Sequence, residues 1–191
     1  MRDLPDWTRR TVACLASGPS LSAEQCAAVH AAAVPALVTN TTFRLAPWAD
    51  MLIGFDLRWW KEYHAEVAAT FAGRRISFSQ HCGKYGVETL ANQPWATGFH
   101  NSGALAIQVA ARAGAKKIIL LGYDCRRVDG AVHWHGNHPE GMSNAESMRH
   151  WPRMFERLAK VLEPSKVDIV NCSPVSALEC FRRGELEQEL R

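Results

Sequence analysis

The sequence predicts an α/β fold: one domain over residues 1–191, with a mostly parallel sheet and helices on both of its faces. Three observations carry this reading. Short apolar runs alternate with stretches whose apolar residues recur three and four apart. The central runs, TVACLA and KIILL, are apolar nearly throughout, as strands must be when helical layers cover both faces. Nearly every run ends in small or polar residues, the expected pattern where parallel strands end at one edge of the sheet.

Thr11–Ala16 reads as the first buried strand. The turn Ser17-Gly18-Pro19-Ser20 leads into a helix over Ser22–Ala33, where Ser22 and Gln25 have the spacing of a capping box. Ala36–Thr39 is a short second strand, ending at Asn40. Met51–Phe55 is a third, followed by a helix-patterned segment from Leu57 to Phe71, and Arg75–Ser79 alternates as a fourth. Between Ser79 and Asn101 lies a long loop rich in Gly, Asn and Pro, a length usually tied to function or mobility. Ser102–Ala113 is a helix capped by Asn101 or Ser102, and Lys117–Leu121 is an unbroken apolar strand. A histidine-rich loop follows it. The next helix begins near Ser143 or Asn144 and runs to about Leu162, with Pro152 kinking or restarting it. Val167–Val170 is a strand, and Ser176–Phe181 and Glu185–Leu190 pattern as short helices. This succession is Rossmann-like.

Composition narrows the function. The 191 residues are 47% apolar and 21% charged with a formal net charge of +3, an ordinary globular balance. Basic residues are scattered apart from pairs such as Arg9-Arg10, Arg74-Arg75 and Arg182-Arg183, which argues against a nucleic-acid partner. No apolar run reaches the roughly 18 residues of a membrane span, and no leader-like segment stands at the start, so a cytoplasmic protein is expected. The six cysteines lack a C-x-x-C spacing and are expected to be reduced and mostly buried. Oligomeric state is left open.

The strand ends suggest a ligand site. Ser17-Gly18-Pro19-Ser20, Thr39-Asn40, Asp56, Gly122-Tyr123-Asp124 and Asn171-Cys172-Ser173-Pro174 would converge at the carboxyl edge of the sheet, where open α/β folds bind ligands. The first of these turns joins a strand to a helix, a place where backbone N–H groups and the helix dipole attract phosphate. It carries neither G-x-G-x-x-G nor G-x-x-x-x-G-K-[ST], which argues against ordinary NAD binding and P-loop chemistry.

The order and spacing of these segments resemble those of a bacterial family of CMP-sialic acid transferases. That family carries a G-x-G-P-S-L turn, an Asn after the second strand, a T-S-G helix start, an S-G-I-D strand end and a C-terminal C-P-x-S segment. The pattern is also similar to that of a wider set of uncharacterised Rossmann-like proteins, some related to an archaeal hydroxymethylpterin pyrophosphokinase. The resemblance implies a small-molecule partner, a nucleotide or nucleotide sugar, serving as donor substrate with no required cofactor. It implies that Ser17, Gly18, Pro19 and Ser20 approach the phosphate or ribose, that Asn40, Ser102 and Gly103 contact the nucleotide, that Asp124 forms the cleft floor, and that Asn171 and Ser173 complete the site. Here Ser17 stands where the family has Asn, and Asn101 where it has Thr.

The stretch VHWHGNHPEG places His133, His135 and His138 within six positions. In the resembling transferases a histidine after the corresponding strand is the general base. His138 occupies the nearest position, with His135 as runner-up, and an imidazole of ordinary pKa suits proton abstraction at neutral pH. Two other readings stay open: a non-catalytic nucleotide-binding module, and a metal-dependent pyrophosphokinase or hydrolase in which the three histidines hold a divalent ion. The sequence does not favour the metal. Trp59, Trp60 and Tyr63, and likewise His150, Trp151, Met154 and Phe155, have helical spacing typical of packing, with Trp59 or Trp60 expected to be partly exposed. Arg126 and Arg127 are either solvated loop charges or anion contacts.

Overall fold

The computed structural model describes residues 3–90, 93, 95, 99–142 and 147–191. Its eight strands form one sheet: β1 (Thr11–Leu15), β2 (Ala36–Thr39), β3 (Met51–Ile53), β4 (Arg74–Ser77), β5 (Glu88–Thr89), β6 (Lys117–Leu121), β7 (Asp168–Asn171) and β8 (Arg182–Arg183). Their order is β5-β4-β3-β2-β1-β6-β7-β8, and every pairing is parallel. The chain therefore winds outward one way from β1 to β5, returns to the middle, and winds the other way from β6. β1 and β6 flank this reversal, paired from Thr11↔Lys117 to Leu15↔Leu121. At such a point the connections leaving two neighbouring strands diverge and open a crevice.

Among the described residues five α-helices cover the sheet: α1 (Ala23–Ala31), α2 (Leu57–Thr70), α3 (Ser102–Arg112), α4 (Trp151–Leu162) and α5 (Leu186–Glu189). Strand side chains alternate between two cores. Val12 and Cys14 of β1, with Ile118 and Leu120 of β6, pack under α3 and α4, while Ala13, Leu15, Ile119 and Leu121 pack under α1 and α2. This two-sided burial explains why TVACL and KIILL show no polar face. α3 lies closest to the sheet, its residues from Ser102 to Ala110 all buried.

The expected elements form with end shifts of one or two residues. The capping box is present, with Ser22 Oγ accepting from Gln25 N and Gln25 Oε1 accepting from Ser22 N. The expected helix start near Ser143 or Asn144 lies outside the described residues. The described part of that helix begins at Trp151, with Pro152 in its first turn, where a missing N–H costs nothing. One expected helix is replaced: Ser176–Phe181 is irregular and leads into β8. Ser176 Oγ donates to Tyr123 O at 2.7 Å and Ala177 N to Asp124 O at 2.7 Å, so bonds to the end of β6 take the place of a helical ladder. The long loop after β4 contains a 3-10 helix at Gln80–Tyr85 and the edge strand β5, neither of which its turn-rich composition suggested.

All six cysteines are free thiols, four of them buried. Trp59 and Trp60 are both buried, because each indole N–H finds an acceptor inside, at Thr41 Oγ1 and Gly54 O. Phe155, Trp151 and Met154 pack on the core as expected, whereas His150 is exposed beside Arg149. Among the described residues no helix is long and apolar enough to cross a membrane.

Candidate functional site

A cavity of about 690 Å³ opens at the carboxyl edge of the sheet, across the point where β1 and β6 diverge. Its polar wall is made by Ser17, Gly18 and Pro19 after β1, Asn40 after β2, and Ser102 and Gly103 at the start of α3. Phe55, Trp59, Trp151 and Phe155 supply aromatic walls, and His133 and His138 close one side. A volume of this size suits a nucleotide-sized ligand.

Local chemistry fixes each wall. Asn40 adopts a left-handed conformation (φ 47°), which turns the chain sharply after β2. Its Oδ1 accepts from Ser102 Oγ at 3.2 Å, and Ser102 Oγ in turn accepts from Phe55 N at 3.0 Å. The ends of β2 and β3 are thus tied to the first turn of α3. Asn101 caps that helix, its Oδ1 accepting from Ala104 N at 3.0 Å while its carbonyl accepts from Leu105 N. The amides of Ser102 and Gly103 then have no acceptor within the helix and lie on the cavity wall, the arrangement that favours an anion.

The turn after β1 is held from behind. Ser20 N and Ser20 Oγ donate to the two carboxylate oxygens of Asp124, at 2.7 and 2.6 Å. A Cβ on Gly18 would stand 2.4 Å from Gly122 O and 2.6 Å from Asp124 Oδ1, so only glycine admits this contact. Gly122, with φ 71°, would bring a Cβ to 2.4 Å from Ala16 O. Asp124 is wholly buried, and burial pushes its carboxyl above the usual range against the lowering pull of Ser20. It stands behind the turn rather than on the cavity surface.

Asn171 and Ser173 are also fully buried and brace the scaffold. Ser173 Oγ accepts from Tyr123 N at 2.8 Å, Asn171 Oδ1 accepts from Ser173 N at 3.0 Å, and Asn171 Nδ2 donates to Ser176 Oγ at 2.9 Å. Of the residues singled out in the sequence, Ser17, Gly18, Pro19, Asn40, Ser102, Gly103 and His138 border the cavity, whereas Ser20, Asp124, Asn171, Ser173 and His135 stand behind its surface.

The histidine loop folds back over the turn. Trp134 N donates to Ser17 O at 3.1 Å, and Trp134 Nε1 to Thr42 Oγ1 at 3.3 Å, while Ser17 Oγ shares a hydrogen bond with Thr42 Oγ1 at 3.1 Å. At the far end of the loop Arg58 Nη1 donates to Gly141 O at 2.7 Å. The three imidazoles gather together, with centroids 4.8 to 5.1 Å apart. Burial pushes His133 down to about 4 and His135 to about 3, and lowers His138 despite the nearby Asp56 carboxylate. All three are therefore neutral at pH 7. In the rotamers shown, no three His, Cys, Asp or Glu side chains among the described residues are arranged to enclose an ion.

Arg126 lies on the cavity wall, while Arg127 donates to Gly130 O at 3.0 Å outside it. Sequence reasoning missed Arg58, Thr42 and Trp134. Trp134 had a visible signal, an indole between two histidines; Arg58 and Thr42 had none, since their roles depend on segments far away in the chain.

Fold and cleft together define a Rossmann-like α/β protein with a ligand-sized crevice at the reversal of strand order. No protein-family model matches the chain, and a search of the curated proteins finds no match to it.

Proposed function

We propose that the chain binds a nucleotide-activated donor, of the CMP-sugar kind, and transfers a glycosyl or similar group from it. The observation that carries this reading is the first turn of α3, whose Ser102 and Gly103 amides have no acceptor in the helix and stand on the wall of the 690 Å³ cavity beside the turn at Ser17–Pro19. Donor phosphate sits against these amides, with Arg126 and Arg58 supplying positive charge at the rim. The base lies against the apolar side, where Phe55 and Trp151 offer ring faces. The reacting end then faces the histidine loop. In the transfer an acceptor hydroxyl oxygen bonds to the donor carbon and gives up its proton to water, the bond from that carbon to phosphate oxygen breaks, and the nucleotide leaves with the electron pair.

Calorimetric titration of CMP, CMP-sialic acid and a panel of other nucleotides and nucleotide sugars tests this directly. Binding of one of them, weakened in Arg126→Ala without loss of thermal stability, is the expected result. No binding across the panel, with or without divalent ions, would remove the proposal.

A further inference from the structure

We infer that His133, His135 and His138 form a binding site for one divalent transition ion of the zinc class, with an open coordination position facing the cavity. The ring centroids are separated by 5.1 Å (His133–His135), 5.0 Å (His133–His138) and 4.8 Å (His135–His138). Three imidazole nitrogens at ~2.0–2.1 Å from one ion in a tetrahedral arrangement place their ring centroids about 5 Å apart. All three spacings lie near that value, with His133 and His135 nearly parallel (9°) and His138 inclined to them by 56° and 53°.

The nitrogens agree with the spacing. His133 Nε2 and His135 Nε2 are buried without a hydrogen-bond partner, and His138 Nδ1 is buried beside them. Orphaned buried nitrogens are costly, and an ion between them removes the cost. Asp56 stands in electrostatic reach of His138.

As they stand, the side chains do not yet enclose an ion. Closure asks for rotation about χ2, a broad torsion for histidine. Three neutral nitrogen donors select Zn²⁺, Co²⁺ or Ni²⁺ over Mg²⁺ and Ca²⁺, which prefer oxygen. His133 and His138 border the cavity, so the fourth position points toward the proposed ligand. Three protein ligands with one open position is the pattern of catalytic rather than structural zinc. This assigns His138 a ligand's role in place of the general base that the sequence suggests.

The test uses the full chain, stripped with a chelator and titrated with Co²⁺ by visible absorption and with Zn²⁺ by calorimetry, in the absence of any nucleotide. One equivalent is expected, with the absorption of a nitrogen-rich tetrahedral site. His133→Ala, His135→Ala and His138→Ala should each weaken it by at least about 100-fold, while His81→Ala, at an exposed site elsewhere, leaves it unchanged. Circular dichroism identifies any variant that fails to fold, and His→Gln at the same position then replaces it. Absence of stoichiometric binding, competition by equimolar Mg²⁺, or loss in only one of the three variants would overturn the site. Because no nucleotide is present, failure of the donor proposal leaves this outcome untouched, and the reverse also holds.

Discussion

The turn after β1 and the histidine loop border the same cavity, yet their polar groups are treated in opposite ways. Behind the turn, Asp124 accepts twice from Ser20, Ser173 accepts from Tyr123, and Asn171 bonds both Ser173 and Ser176. In the loop, His133 Nε2 and His135 Nε2 are buried without a partner. Backbone bonds follow the same division: β1 and β6 are laddered along their whole length, whereas residues 132–142 are irregular. A buried polar group satisfied inside the protein holds the fold, because removing it orphans its partners. A buried polar group left unsatisfied costs stability, and what it gains by binding is the natural account of why it is there.

Substitution on either side tests this division most strongly. Asp124→Ala removes a buried, charged acceptor from two half-buried donors and should lower unfolding stability by about 3 kcal/mol in urea denaturation. His138→Ala, on the other side of the cavity, should change the stability of the metal-free protein by no more than roughly 0.5 kcal/mol. Equal losses in the two variants would break the comparison. The next effect in size is on affinity: Arg126→Ala should weaken the nucleotide that binds by about 10-fold, or 1.4 kcal/mol, with the melting temperature unchanged. A fall in melting temperature instead would place Arg126 in the scaffold.

A smaller effect tests how far the scaffold extends. Tyr123 Oη donates to Gly103 O at 3.0 Å, joining the end of β6 to the first turn of α3. Tyr123→Phe should cost about 1 kcal/mol of stability, since one buried carbonyl loses its donor. If the position of α3 sets the anion site, nucleotide affinity falls with it, and calorimetry on the same variant shows whether the two are coupled.

The sequence made the fold legible and only half of the site. β2 and β6 are readable to the residue because both are bounded by turn formers and buried on two sides, and the Ser22–Gln25 box announces α1. The helix expected at Ser176–Phe181 fails because Ser176 and Ala177 bond to Tyr123 and Asp124, a competition invisible to local pattern. Strand ends pointed to one edge, and the cavity is there. Depth was not legible: Asp124 and Asn171 have the residue types of ligand contacts, but both are buried, Asp124 accepting from Ser20 and Asn171 bonding Ser173 and Ser176. Nor could spacing alone show that His135, which does not border the cavity, packs against both His133 and His138.

The smallest predicted effect comes from a polar cluster that is satisfied but lies at the surface. Glu189 Oε2 accepts from Lys117 Nζ at 2.9 Å and from Arg182 at 2.9 Å, and Arg182 also bonds Asp168 at 2.7 Å. Hydrogen bonds from Arg182, then from Lys117, hold the Glu189 carboxyl down to about 2. Its folded pKa lies below the unfolded value of 4.5, so the stability it contributes is present above pH 4.5 and is lost as pH falls toward 2. Arg182 is 44% exposed, and solvent screening reduces the contribution to about 0.5 kcal/mol. Glu189→Gln should therefore flatten the acid limb of the stability curve slightly and leave stability at pH 7 lower by that amount. If satisfaction alone decided the outcome, this cluster would match Asp124. A loss as large as that of Asp124→Ala would show that hydrogen bonding, without burial, separates the scaffold from the loop.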